Sequence, residues 1–212
     1  EFVQIYGLTE TAPLITINRN RIEYDKLSSF ERAQKLSRAG APSFGTTMAI
    51  DAEGEILARS NTVMAGYWEQ PDQTDAAISG GFFHTGDGGI IDDDHYVVIS
   101  DRKKDVIISG GENVSSIEVE DAIFQHPDVT EVAVIGIPDE KWGELVTALV
   151  VTVAGSELNE ASLIAFAKER LAGYKCPKRI EFRAELARTA TGKLQKFKLR
   201  EPFWAGADKK VN

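Results

Sequence analysis

Tyr6-Gly7-Leu8-Thr9-Glu10 gathers a glycine turn, a hydroxyl and a carboxylate in one short segment. Such a set can contact a phosphate and ligate a hard cation through oxygen, and a capped turn would use the same residues. Thr85-Gly86-Asp87-Gly88-Gly89 sets an acid between glycines, where its carboxylate can accept hydrogen bonds from vicinal hydroxyls such as those of a ribose; a tight turn with a solvated aspartate also fits. Ser109-Gly110-Gly111-Glu112-Asn113 leads two adjacent glycines toward a capped helix, so its backbone can approach a ligand closely or present amides to an anion, or simply join two elements. Thr189-Ala190-Thr191-Gly192-Lys193 carries a lysine on a hydroxyl-rich loop. Its ammonium can reach a carboxylate or phosphate oxygen, although most surface lysines only meet solvent. Trp142 offers either a stacking surface or core packing.

These segments need elements to hold them. Val3-Gln4-Ile5-Tyr6 reads as the end of a buried strand running straight into the glycine turn, with nothing before it, as though the chain were cut from something longer. Residues 16–40 are charged and weakly periodic. Thr46–Ile50 and Glu55–Arg59 read as strands around the turn Asp51-Ala52-Glu53-Gly54, and Gly89–Ile91 with Tyr96–Ile99 reads as a β-hairpin with a polar tip. Beyond the charged run Asp101-Arg102-Lys103-Lys104-Asp105 the pattern changes. Strands are expected at Val106–Ser109, Glu131–Ile137, Leu145–Val153 and Arg179–Arg183, with helices at Ser116–Gln125 and Glu160–Leu171. Ser115 and Glu118 make a capping box, and Gly173 marks a helix stop. The expected fold class is α+β: a mainly β part over residues 1–101, then a small α+β domain over residues 102–212.

The 212 residues, 42% apolar, can build a core. A formal charge of −9 disfavours nonspecific attraction to nucleic acid or to an anionic membrane. Residues 175–200 run against that balance, with nine basic residues against Glu181 and Glu185. With only Phe182 and Phe197 interleaved, they suit a phosphate-bearing small molecule or a solvated face better than nucleic acid. One cysteine, Cys176, allows no internal disulfide, so the expected location is cytoplasmic. No run of apolar residues reaches membrane-spanning length. His84, His95 and His126 lack zinc-ligand spacing.

In order and spacing, the segments YGLTE (6–10), GEI (54–56), GYW (66–68), FHTGD (83–87), DRKKDVIISGGENV (101–114) and TGK (191–193) resemble the C-terminal portion of the adenylate-forming superfamily, and most closely its AMP-forming acyl-CoA synthetases. The resemblance implies the end of the large N-terminal domain, including part of its β-barrel subdomain, followed by a mobile C-terminal lid. It also implies two half-reactions. A carboxylic acid, expected to be fatty, is activated by ATP to acyl-AMP and pyrophosphate, and the CoA thiol then displaces AMP. An adenylating enzyme with another acceptor, or a lid-fold interaction module without catalysis, are the alternatives.

On that resemblance Tyr6 stacks on adenine, Gly7 belongs to the nucleotide turn, Thr9 bonds a phosphate oxygen and Glu10 holds Mg²⁺. Asp87 accepts the ribose hydroxyls with Arg102 assisting. Lys104 is the pivot of the lid, and Gly110 and Gly111 approach the pantetheine arm. Lys193 bridges the substrate carboxylate and the α-phosphate. Phe82 stands where the family usually has Trp, and Ala187 where it has Pro; neither position carries a reacting group. The stretch between Gly45 and Gly54 is short for the family. The family's phosphate loop and most of its acyl pocket lie upstream, so this segment by itself is expected to bind ATP poorly and to need the N-terminal part of the same enzyme as its partner.

Overall fold

A computed structural model describes residues 2–190 and 192–205; Glu1, Thr191 and residues 206–212 lie outside the described residues. The chain divides into two compact units, residues 1–103 and 104–212.

In the first unit, β1 (Gln4–Tyr6), β2 (Thr16–Asn18) and β3 (Ala41–Pro42) form a small antiparallel sheet in the order β1-β2-β3. Helix α1 (Ser29–Ser37) interrupts it between β2 and β3. β1 is an edge strand. Only Tyr6 of it is buried, and Ile5 stays 52% exposed, so the buried strand expected here is half solvated. The second sheet is built from β4 (Thr47–Ile50), β5 (Glu55–Arg59), β6 (Ile78–Ser79), β7 (Phe82–Ile91) and β8 (Val97–Arg102), with α2 (Pro71–Ala77) leading into β6. Its order is β4-β5-β7-β6, with β8 pairing along another stretch of β7. The part of a β-barrel expected here is therefore an open sheet: among the described residues β4 and β6 do not pair to close it. Ile15, Ile56, Ala58 and Val97 form the core beneath Tyr6.

The polar hairpin tip between β7 and β8 is tied down by Arg38. Its Nη1 donates to Asp92 and Asp94, each at 2.7 Å, its Nη2 donates to the Tyr24 hydroxyl, and its guanidinium lies 4.1 Å over the Tyr96 ring. Arg38 and Lys35 together hold the Asp94 carboxyl down to about 2.

In the second unit, a sheet of β9 (Ile107–Ser109), β10 (Glu112–Val114), β11 (Val129–Asp139), β12 (Gly143–Thr152) and β13 (Arg179–Phe182) has the order β10-β9-β12-β11. β13 runs parallel to β12. Helices α3 (Ser116–Phe124), α4 (Glu160–Lys168) and α5 (Lys196–Trp204) complete it. β11 and β12 are long and mostly buried, so each carries two apolar faces. One face packs Val134, Val146, Ala148 and Val150 against Val119 and Ile123 of α3 and Leu163 and Ala167 of α4. The other packs Ala133, Ile135 and Leu149 against Leu186, Leu194, Leu199 and Phe203. Ser115 Oγ accepts the Glu118 N–H at the start of α3, as the capping pattern predicts. Among the described residues no helix is long and apolar enough to cross a membrane.

Candidate functional site

Asp87 lies in the middle of β7, directly across from Arg102 of β8, at a point where the β7–β8 register shifts just beyond Gly88. Strand pairing therefore delivers these two residues to each other, and Arg102 Nε stands 3.5 Å from Asp87 Oδ1. The Tyr6 hydroxyl donates to Asp87 Oδ2 at 2.8 Å. Burial, followed by the nearby Asp87 charge, pushes the Tyr6 phenol well above its ordinary value, so it remains a donor. The Asp87 N–H donates to Thr85 Oγ1, whose own hydroxyl donates to the Ile56 carbonyl. Asp87 is thus a buried carboxylate held by one formal donor and one cation. Since two carboxylate oxygens offer about four acceptor positions, capacity for two further donors remains. Tyr6 is 8% exposed, and little of its ring face is open.

Gly7 is required by space. A Cβ there would stand 2.0 Å from the Pro13 carbonyl oxygen and 2.6 Å from Leu14 Cα. The chain continues into a turn of 3-10 helix, Thr9–Thr11, where Thr9 is exposed. The Glu10 carboxylate accepts a 3.0 Å hydrogen bond from the Tyr67 hydroxyl, and its backbone carbonyl accepts from Met64 N–H. Tyr67 is itself fixed, its N–H donating to Thr74 Oγ1 in the middle of α2. Burial first, then the Glu10 carboxylate, raises the Tyr67 phenol. Glu10 keeps its second oxygen without a protein partner among the described residues, which fits one carboxylate ligand of Mg²⁺, an ion that takes few protein ligands and otherwise holds water and phosphate oxygens.

Glu55 was not singled out from the sequence beyond the GEI segment. It is buried, and its carboxylate receives the Gly86 N–H at 2.8 Å, His84 Nδ1 at 3.1 Å and Lys103 Nζ at 3.4 Å. Burial pushes the Glu55 carboxyl up, but the His84 and Gly86 hydrogen bonds and the Lys103 charge together carry it below its ordinary value. Asp51, Glu55 and His84 lie close enough together to hold a metal ion. The Lys103 ammonium already supplies positive charge there, bonded also to Glu53 at 2.8 Å. The cluster reads as an internal ion-pair network that fixes the Gly86 turn beside Asp87.

The other predicted residues lie in the second unit. Lys104 is exposed in the 3-10 turn Lys103–Asp105. Its carbonyl accepts a 2.8 Å bond from Arg200 Nη1, and Arg200 Nη2 also pairs with Asp105. Gly110 and Gly111 form the turn between β9 and β10, both with positive φ, 63° and 86°. A Cβ on Gly110 would meet the Trp142 ring at 2.9 Å, and the Gly110 N–H donates to the Trp142 carbonyl, whereas Gly111 faces open space. Trp142 therefore packs on the glycine turn and remains 37% exposed. Lys193 is exposed, on a hairpin closed by the bridge between Arg188 and Leu194. Thr191, the first residue of TGK, lies outside the described residues.

Most of the basic run is neutralised locally. Lys175 pairs with Glu118, Arg179 and Arg183 with Glu181, Arg188 with Glu131, Lys196 with Glu120 and Arg200 with Asp105. The run is a laced protein surface on which Lys193 is exposed.

Residues 118–193 match the family described as AMP-binding enzyme C-terminal domain. Feruloyl-CoA synthase from an Amycolatopsis species is 40% identical over 95% of the chain. Residues 118–193 thus carry the C-terminal domain of the AMP-binding enzyme family. Within that family the ATP-bound MatB structure from Rhodopseudomonas palustris superposes with a TM-score of 0.84 at 35% identity, covering 95% of the chain. The amide bond synthetase McbA from Marinactinospora thermotolerans superposes with a TM-score of 0.81 at 33% identity, again over 95% of the chain. The chain spans 41% of the length of the feruloyl-CoA synthase, and 40% and 42% of the two solved structures. A CoA synthase and an amide bond synthetase thus share this portion of the adenylate-forming family.

Proposed function

We propose that the enzyme containing this chain activates a carboxylic acid with ATP to an acyl-adenylate and transfers the acyl group to CoA, releasing AMP. The sequence resemblance makes a fatty acid the first acid to try. A carboxylate resists attack because oxide would have to leave; exchanging that oxide for AMP makes the thiol displacement feasible. The observation that carries the reading is the convergence of Tyr6, Asp87 and Arg102, residues from three separate strands, on one buried carboxylate with spare acceptor positions.

In this reading Asp87 takes the ribose hydroxyls. Tyr6 orients that carboxylate through its hydroxyl and meets adenine with the ring edge it leaves open. Arg102 offsets the charge left on Asp87. Gly7 lets the following turn pass close to Pro13, and Thr9 offers an exposed hydroxyl to a phosphate oxygen. Glu10, oriented by Tyr67, would hold Mg²⁺, which when bound neutralises triphosphate charge. Lys193 reaches the carboxylate and phosphate oxygens that must join, where exclusion of water strengthens its charge. Lys104, at the junction of the two units, serves as the pivot of a C-terminal lid, and Gly110 and Gly111 leave room for the pantetheine arm.

Isotope exchange of pyrophosphate into ATP, run with a panel of carboxylic acids on the chain joined to the upstream region its relatives possess, tests the reading. Acid-dependent exchange, followed by AMP release and thioester on adding CoA, is expected. Exchange without thioester would move the assignment to another acceptor, and no exchange with any acid would refute adenylation.

A further inference from the structure

The Lys193 hairpin has an anchor that the reaction itself does not call for. Leu186 and Leu194 fix its base in the core against β11. Above them the backbone closes on itself: Thr189 N–H donates to the Lys193 carbonyl at 2.8 Å, Gly192 N–H donates to the Thr189 carbonyl, and Lys193 N–H donates to Thr189 Oγ1 at 3.0 Å. Gly192, with φ of 86°, turns the chain where a Cβ would meet nothing.

Arg188 adds a side-chain tie beyond these backbone bonds. Its Nε and Nη2 both donate to Glu131 Oε2, at 3.1 and 2.5 Å, and its Nη1 donates to the Gly192 carbonyl at 2.8 Å. One planar guanidinium thus ties the residue before Lys193 to β11, at the place where the β11–β12 register shifts. A bulge of this kind re-aims a side chain. The Arg188 and Glu131 side chains are 43% and 34% exposed, and a pair that open to water contributes little to global stability. Its geometry is the informative part. A rigid fork can hold two acceptors in a fixed relation, and a lysine cannot.

We propose that Arg188, oriented by Glu131, is a positioning residue that holds the Lys193 hairpin in one shape for the adenylation step. This rests on the reading in which Lys193 serves adenylation. The test uses the enzyme carrying this chain with its upstream region. It compares R188A, R188K and E131A with K193A in single-turnover adenylation, in thioester formation from supplied acyl-adenylate, and in amide exchange at Gly192 and Lys193. R188A is expected to slow adenylation by about 10- to 100-fold with the KM for ATP little changed, since small misplacements of a reacting group have effects of that order. Thioester formation should hold, and the Lys193 amide should exchange faster. E131A should act in the same direction more weakly, and R188K should recover little, because one ammonium cannot span both acceptors.

If K193A abolishes adenylation while R188A and E131A leave both the rate and the Lys193 amide at wild-type values, the positioning role is wrong and the assignment of Lys193 stands. Full recovery in R188K would show that charge rather than the fork matters, and would also overturn the proposal. If K193A itself adenylates normally, the underlying reading falls, and this inference with it. Should R188A fail to fold, E131A, which keeps the guanidinium and removes only its carboxylate partner, carries the same comparison.

Discussion

The Tyr6 hydroxyl donates a 2.8 Å hydrogen bond to Asp87 Oδ2, joining residues 81 apart in sequence and in different sheets of the first unit. The bond is buried and charge-assisted, and Asp87 carries Arg102 on its other oxygen. The edge strand β1 and the central strand β7 are therefore coupled through the group proposed to take the ribose.

Replacing Tyr6 with Phe removes the donor and leaves a buried carboxylate short of one partner. Such a loss costs about 1–3 kcal/mol, to be read from equilibrium denaturation of the chain. The KM for ATP in the complete enzyme should rise while the affinity for CoA is unchanged. Wild-type stability and wild-type KM together would show that the bond does no work in solution.

Glu55 makes a prediction in pH. Its carboxyl lies below the ordinary 4.5 in the folded chain. The stability it contributes is therefore complete above the unfolded-state value and is lost as pH falls through the lower folded value. Unfolding free energy of wild type minus that of Glu55→Gln, measured from pH 6 down to pH 3, should be positive and constant at the upper end and shrink on the acid side. A difference that grew on acidification would have the wrong sign.

The second unit was largely legible in the sequence because its strands are long and apolar and its first helix announces itself through Ser115. Helix α1 was not. Ser28 and Glu31 form a full capping box, but none of its residues is buried, so no apolar stripe marks it. Helix α5 carries Pro202 inside it and begins without a side-chain cap, which hid it in the charged tail. The open second sheet could not be told from a piece of a barrel, because closure is a property of strand pairing and not of strand composition. At the site, the residue types of Tyr6, Asp87 and Arg102 were readable. Their contact was not, since it depends on the register of β7 on β8. Glu55, Tyr67 and Arg188 were missed as individual residues because each acts on a neighbour rather than on a ligand. The GEI and GYW segments and the arginine before TGK were the only signals.

Gly110 and Gly111 separate two reasons for glycine. Each has a left-handed backbone, so alanine at either position costs about 1–2 kcal/mol. Only at Gly110 does the new methyl also strike Trp142, adding about 1–3 kcal/mol of overpacking. Thermal unfolding should therefore rank G110A clearly below G111A. Equal melting temperatures would mean that Trp142 moves aside freely.

Lys104→Pro restrains the backbone at the proposed pivot, whose carbonyl is held by Arg200. Thioester formation should slow by more than adenylation in single-turnover measurements. Equal slowing of both steps would indicate damage to the fold instead of a restrained pivot.

In the proposed reaction the ammonium of Lys193 serves the first half-reaction alone. Lys193→Ala in the complete enzyme, assayed separately for acyl-adenylate formation from acid and ATP and for thioester formation from supplied acyl-adenylate and CoA, measures this directly. Adenylation is expected to fall by about 100- to 1,000-fold, the scale of removing one preorganised charged donor, with the second step at the wild-type rate. Adenylation at the wild-type rate, or both steps reduced alike, would contradict it.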